Sequence, residues 1–303
     1  MSPIPIVLDC DPGHDDAIAL LLALVSPELE LVGVTTVAGN QTLEKTTANA
    51  LRLLEFAGRG DIPVAAGADR PLVREPAVAA DVHGETGLDG PELPPPQGTA
   101  VDEDAVEFLA ERVERGAVVV ATGPLTNVAR LLERARPRRI VLMGGSIGEG
   151  NRTPAAEFNV WCDPEAARLV FRSGIETTMI GLDATHQAVV TDADVEQLRP
   201  LGRTGKLVAE LLDYYGRFHR ARYPELAGSP LHDPVAVAHV ARPGLVEVRP
   251  ASIEVDCESE QSRGRTNVDR RGRGPATPGV SVAVGVDAAA FRRLLVERLP
   301  SLG

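Results

Sequence analysis

The chain has 303 residues, 44% of them hydrophobic, which is enough for one large α/β domain or two small ones with a substantial core. Its 43 acidic against 31 basic residues give a net charge of −12 and a pI near 5.0, which excludes wholesale nucleic-acid binding and docking on an anionic membrane. No apolar run approaches the ~20 residues of a transmembrane helix, and the three distant cysteines, Cys10, Cys162 and Cys257, fit a reducing cytoplasm rather than a disulfide framework.

The first element is an apolar run, Ile4, Ile6, Val7 and Leu8, too short for a helix and suited to a strand buried on both faces. No basic stretch precedes it, so no signal peptide is expected. Pro12 and Gly13 turn the chain, and a helix follows with Ala17, Ile18, Leu20, Leu21, Leu22 and Leu24 apolar. Leu29 to Ala38 reads as a second strand, Leu43 to Phe56 as a helix and Pro63 to Ala66 as a short strand. Residues 67–97 are rich in Pro and Gly, and a loop of that length is either a functional lid or a disordered excursion. Asp102 to Arg115 reads as a helix, Ala117 to Ala121 as a strand, Asn127 to Ala135 as a helix and Arg139 to Met143 as a strand. Asp163 to Arg172 is a helix opened by Asp-Pro, and Thr177 to Leu182 a strand.

The repeated order of strand, small-residue turn and helix predicts a mostly parallel open sheet with helices on both faces, a Rossmann-like α/β core. Asp192 to Tyr223 is mostly helical, Pro234 to Val240 begins another helix, and Ala288 to Leu299 closes the chain. Leu245 to Val255 and Val280 to Val286 read as added antiparallel strands. With no repeat and no linker, residues 1–303 read as a single domain. Arg263, Arg265, Arg270, Arg271 and Arg273 lack interleaved aromatics and read as a solvated loop or hairpin.

The turn after the first strand holds four carboxylates within eight residues, Asp9, Asp11, Asp15 and Asp16. Four such acids repel one another unless a charge offsets them. Capping of the helix accounts for one or two of them, not four. A hard divalent cation with oxygen ligands, Ca²⁺ or Mg²⁺, fits, and no second Cys or His is present to suggest zinc. Other predicted strands also end in polar residues: Asn40, Thr122 and Asp183. In a parallel sheet these ends share one edge. Asn151 with Glu157 and Asn159, and the pair His232-Asp233, are further polar clusters. Asn and Glu side chains form paired hydrogen bonds with vicinal hydroxyls, which points to a sugar.

The opening DCDPGHDDAIAL resembles the signature of the inosine–uridine-preferring nucleoside hydrolase family. VAGN at 37–40, ATGPLTN at 121–127, VLMGG at 141–145, AEFNVWCDPEAA at 156–167 and LHDP at 231–234 match in the same order. The resemblance implies Ca²⁺ held by Asp11, Asp16, Asp233 and the main-chain carbonyl of Thr122. It implies Asp15 as general base, and Asn40, Asn151, Glu157 and Asn159 as ribose-holding residues. His232 would lie near the leaving base as a general acid. The expected reaction is hydrolysis of the N-glycosidic bond of a ribonucleoside to ribose and free base, by a cytoplasmic homodimer or homotetramer. His83, Phe158 and Tyr223 are candidates for the base pocket, with Trp161 near the ribose, and the base preference stays open. A phosphohydrolase with an acidic turn would want a Lys or Arg at the strand ends, where none is found. A nucleoside-binding protein without catalysis is the reading outside enzymes.

Overall fold

The computed structural model describes residues 2–269, 271 and 277–302. Its first half alternates strand and helix: β1 Ile4–Cys10, α1 His14–Val25, β2 Leu29–Thr36, α2 Leu43–Phe56 and β3 Val64–Ala66. Then come α3 Ala80–His83, α4 Ala105–Glu114, β4 Val118–Ala121, α5 Thr126–Leu131, β5 Arg139–Met143, α6 Phe158–Cys162, α7 Pro164–Arg172 and β6 Glu176–Ile180. The second half runs α8 Leu182–Thr185, β7 Val189–Val190, α9 Asp192–Leu198, α10 Gly202–Arg222, β8 Ser229–Pro230 and α11 Asp233–Ala241. It ends with β9 Val246–Pro250, β10 Ile253–Val255, β11 Thr266–Val268, β12 Val280–Val286 and α12 Ala288–Arg298.

Eight strands form one sheet in the order β3-β2-β1-β4-β5-β6-β12-β9. β1 is buried on both faces, as its apolar run requires. Ile6, Leu8 and Cys10 face a core built with α1, α2, α10, α11 and α12, whereas Val7 faces a second core with α4, α5 and α7. The strand order reverses between β1 and β4, whose neighbours lie on opposite sides. In an open α/β sheet the crevice at such a reversal, at the carboxyl ends of the strands, is the ligand position.

The expectation of two added antiparallel strands holds for one. β12 pairs parallel with β6, and only β9 runs antiparallel, at the edge beside β12. The chain leaves β9 at Pro250 and re-enters at Val280 beside it, at the same end of the sheet, so β12 runs opposite to β9. The intervening residues lay the β10–β11 hairpin over the α7 side, and β12 takes the direction of the other strands. The segment 177–182 ends as a strand at Ile180 and turns into α8. The long helix read over 192–223 is two helices, broken by a turn at residues 199–201. Of the Arg-rich run, Arg270 and Arg273 lie outside the described residues. No helix of the described residues is long and apolar enough to cross a membrane.

Candidate active site

Two helix N-termini meet beneath the reversal point. α1 opens with His14, Asp15 and Asp16, α11 opens with Asp233, and the two helices pack against each other. Their dipoles favour anions in the first turn. One carboxylate oxygen each from Asp15, Asp16 and Asp233 lies within 4.8 Å of the others. Asp11 follows β1, and its Oδ2 accepts the Asn40 amide at 2.6 Å, while its Oδ1 is buried with no hydrogen-bond partner. Thr122, at the end of β4, donates its hydroxyl to Asp16 Oδ1 at 2.8 Å, and its amide donates to Asp9 O.

Burial and mutual repulsion push these carboxyls up, because desolvation penalises the charged form. Asp11 and Asp233 stand well above the ordinary range, Asp16 above it, and Asp15 at about 7, chiefly from burial and then from the neighbouring acids for Asp11, Asp15 and Asp233. A hard cation fits this donor set. The atoms are all oxygens, one of them is an orphan, and the space is kept open by glycines. A Cβ on Gly123 would stand 2.7 Å from Asp11 Oδ1, and one on Gly39 would run into Asp11 Oδ2. Oxygen-only coordination suits Ca²⁺ or Mg²⁺.

Above the acids is a pocket lined by Asp15, Asn40, Thr122, Asn151, Glu157, Asn159 and Asp233 on one side, and by His83, Phe158, Phe218, His219, Tyr223 and His232 on the other. Asn40 Nδ2 donates to Asp16 Oδ2 at 2.8 Å and to the Asp11 carbonyl. Asn159 Nδ2 donates to the carbonyls of Thr122 at 2.7 Å and Met143 at 3.2 Å. Glu157 caps α6, its oxygens accepting from the amides of Asn159, Val160 and Gly145. Asn151 Oδ1 accepts the Phe158 amide at 2.9 Å. Glu157 therefore both caps a helix and lines the pocket, and each of the four residues is fixed by a hydrogen bond to neighbouring backbone while also lining the cavity.

Two residues from the sequence reading lie elsewhere. Asp183 turns away to accept the amides of Ile147 and Gly148. Trp161 is not in the lining: its ring lies under the guanidiniums of Arg152 and Arg263, at 4.9 and 4.5 Å.

The histidine wall was only partly legible. Five of the six histidines (His14, His83, His186, His219 and His232) form one chain of ring contacts with Tyr214, Tyr215 and Tyr223. Tyr215 donates its hydroxyl to Asp15 Oδ2 at 3.3 Å. His232 Nδ1 is 2.7 Å from Thr185 Oγ1, and burial with the neighbouring histidines lowers its proton affinity well below the ordinary value. Tyr215, His219 and Tyr223 recur every four residues, one stripe down α10. That spacing of polar-tipped rings was the available signal.

Residues 67–97 carry α3 over the cavity, with Ala79, Asp81, Val82 and His83 in its lining. The loop beyond is held through its carbonyls: Gln41 Nε2 donates to Gly84, Asn49 Nδ2 to Thr86, His14 Nε2 to Asp89, and Lys45 Nζ to Glu85.

Comparison with known proteins agrees with this geometry. The family model described as inosine-uridine preferring nucleoside hydrolase matches residues 6–293. A pyrimidine-specific ribonucleoside hydrolase RihA of Shewanella sp. (strain MR-7) is 50% identical over 304 residues, spanning 97% of this chain and 96% of that one. Its namesake in Salmonella agona (strain SL483) is 47% identical over 305 residues, 98% of each chain. The solved purine-preferring ribonucleoside hydrolase from Gardnerella vaginalis superposes with a TM-score of 0.93 at 37% identity, covering 98% of both chains. With the acidic floor at the sheet's reversal point and the amide and histidine walls above it, the chain belongs to the inosine-uridine preferring nucleoside hydrolase family.

Proposed function

We propose that the protein hydrolyses the N-glycosidic bond of ribonucleosides with Asp15 as general base and with Ca²⁺ held by Asp11, Asp16, Asp233 and the Thr122 carbonyl. The observation that carries this reading is the convergence of the Asp15, Asp16 and Asp233 carboxylates beneath a pocket with an amide wall and a histidine wall. When bound, the cation supplies a hard positive centre for the ribose hydroxyls and a water.

Cleavage of an N-riboside passes through an oxocarbenium-like transition state. The attacking water must lose a proton as its bond to C1′ forms, and the buried Asp15 carboxylate takes it. Tyr215 fixes one oxygen of that carboxylate and leaves the other for the water. Asn40, Asn151, Glu157 and Asn159 grip the ribose, and their hydrogen bonds to the surrounding protein preorganise the grip before substrate enters. The ring, as it gains positive charge, lies over carboxylates that stabilise it. His232, oriented by Thr185, and His83 meet the departing base. Phe158 and Tyr223 border it, and their rings can stack on it. The site suits hydroxyls better than phosphate, which disfavours the phosphohydrolase reading. The protein is further expected to act in the cytoplasm as a homodimer or homotetramer, an assembly that light scattering reads directly.

The test is ribose release from uridine, cytidine, inosine and adenosine in a reducing-sugar assay, with EGTA-treated and Ca²⁺-restored protein and metal content measured on the same samples. Ribose appearing with at least one nucleoside, lost without Ca²⁺ and recovered on its return, is the expected result. Tight nucleoside binding with no base released would establish a binding protein instead.

A further inference from the structure

His14 was assigned no role by the sequence reading, and it is buried between two partners. Its Nε2 lies 2.8 Å from the Asp89 carbonyl, which only accepts, so Nε2 carries the proton. A fully buried ring with a single carbonyl partner is neutral, which leaves Nδ1 bare. That bare nitrogen is 3.2 Å from His83 Nδ1. The backbone amide of the same His14 is also 3.2 Å from His83 Nδ1. One residue thus presents an acceptor and a donor to one nitrogen of His83. The ring stays seated because His14 stacks on Tyr214, with centroids 5.0 Å apart and planes at 0°, and because a Cβ on Gly13 would strike the His83 ring.

His83 Nδ1 can satisfy only one of these partners at a time. If it donates to His14 Nδ1, its Nε2 is bare. If it accepts from the His14 amide, its Nε2 carries the proton. His83 borders the pocket, and its Nε2 has no protein partner among the described residues. Each tautomer thus keeps one hydrogen bond to His14 and leaves the other His14 group unpaired, and the two differ in what His83 Nε2 offers. Uracil and cytosine differ in the same sense: at position 4 one carries a carbonyl that accepts and the other an amine that donates.

We propose that His14 makes His83 a reversible donor–acceptor toward the nucleobase, so that one pocket takes uracil and cytosine nucleosides alike. His14 is a positioning residue here, acting through His83, and the inference rests on the nucleosidase reading above.

The test compares kcat/KM for uridine and cytidine in the wild type and in His14→Phe. The variant keeps the backbone amide and the stack on Tyr214 but lacks the bare nitrogen. His83 is then held as a donor. The uridine-to-cytidine ratio should rise about tenfold, the worth of one neutral hydrogen bond. In parallel, ring ¹⁵N shifts of His83, assigned by their loss in His83→Gln, should show tautomers in exchange in the wild type and one fixed tautomer in the variant. An unchanged ratio in folded His14→Phe would overturn the proposal. So would a single fixed tautomer of His83 in the wild type, which decides the matter even if the variant does not fold. A wild type that cleaves inosine or adenosine but neither pyrimidine nucleoside would also overturn the proposal, whereas silence on all four would instead defeat the nucleosidase reading, and the ¹⁵N measurement would still report on the histidine pair.

Discussion

The Asp15 carboxylate is buried, holds one hydrogen bond from Tyr215 at 3.3 Å, and stands beside Asp16 and Asp233. A single well-placed base step is worth roughly 10²–10⁴-fold in rate, so Asp15→Ala should lose that much kcat in the ribose-release assay while keeping the wild-type circular dichroism. Near-normal turnover would remove Asp15 from the chemistry. His232 is a separable case, because its Nδ1 is taken by Thr185 and the residue lines the pocket. If His232 assists departure, His232→Ala should harm inosine, a poor leaving group, far more than an activated nitrophenyl riboside. Equal losses on the two substrates would mark a packing residue. Asp11 and Asp16 stood out because four like charges in a short turn demand an explanation, whereas Asp233, distant in sequence, was named a ligand only through the family resemblance. His14, Tyr215 and His219 did not stand out, since each sits inside a helix where a buried ring reads as core. Trp161 was misread for the converse reason: an aromatic next to AEFN looks like a pocket wall, yet it serves as a platform for two arginines.

Among the elements, the turns decide the site and the strands only aim them. The turns after β1, β2 and β4 close on Asp11 from three directions, and they can do so because residues 39 and 123 have no side chain. Gly123→Ala would place a Cβ 2.7 Å from both Asp11 Oδ1 and Val37 Cγ1. Real carbons do not approach so closely, so the Asp11 carboxylate must swing away. The expected result is at least about a tenfold loss of Ca²⁺ affinity by calorimetry, with a change in melting temperature of a few degrees. Wild-type affinity would mean that Asp11 is not a ligand. The alternation of apolar strands and helices was legible because strands buried on both faces need continuous apolar runs. The direction of β12 was not, since an apolar strand reads the same from either end and only the return from β9 at the same end of the sheet sets its sense. The division of the α9–α10 region was missed because both helices share one apolar face, which conceals the break at 199–201.

For the molecule as a whole, the buried acids and the buried histidines pull stability in opposite directions with pH. Carboxyls raised by burial favour the fold as they gain protons, whereas histidines lowered by burial disfavour it. With the proposed Ca²⁺ bound, saturation would remove the first effect by holding the acids ionised, and a ligand at a hundred times its Kd adds about 2.7 kcal/mol; on that proposal EGTA should lower the melting temperature. The second effect is best isolated at His239, in the last turn of α11 and away from the site. Its Nε2 is 2.8 Å from the Arg139 guanidinium, which only donates, and Arg139 is paired in turn with Glu176 at 3.3 Å. The ring must therefore be neutral, and burial followed by the Arg139 charge lowers it from 6.5 to about 4. The unfolded chain then binds one more proton than the fold between those two values. The contribution is present in full above pH 6.5 and is lost as pH falls toward 4, at about 1.4 kcal/mol per pH unit. His239→Gln keeps an acceptor for Arg139 and removes the titration. Denaturant unfolding of the Ca²⁺-saturated protein from pH 7 to pH 4.5 should show a slope of stability against pH shallower in the variant by about one proton. Parallel slopes would mean that His239 is protonated in the fold, and the pairing with Arg139 would then have to be abandoned.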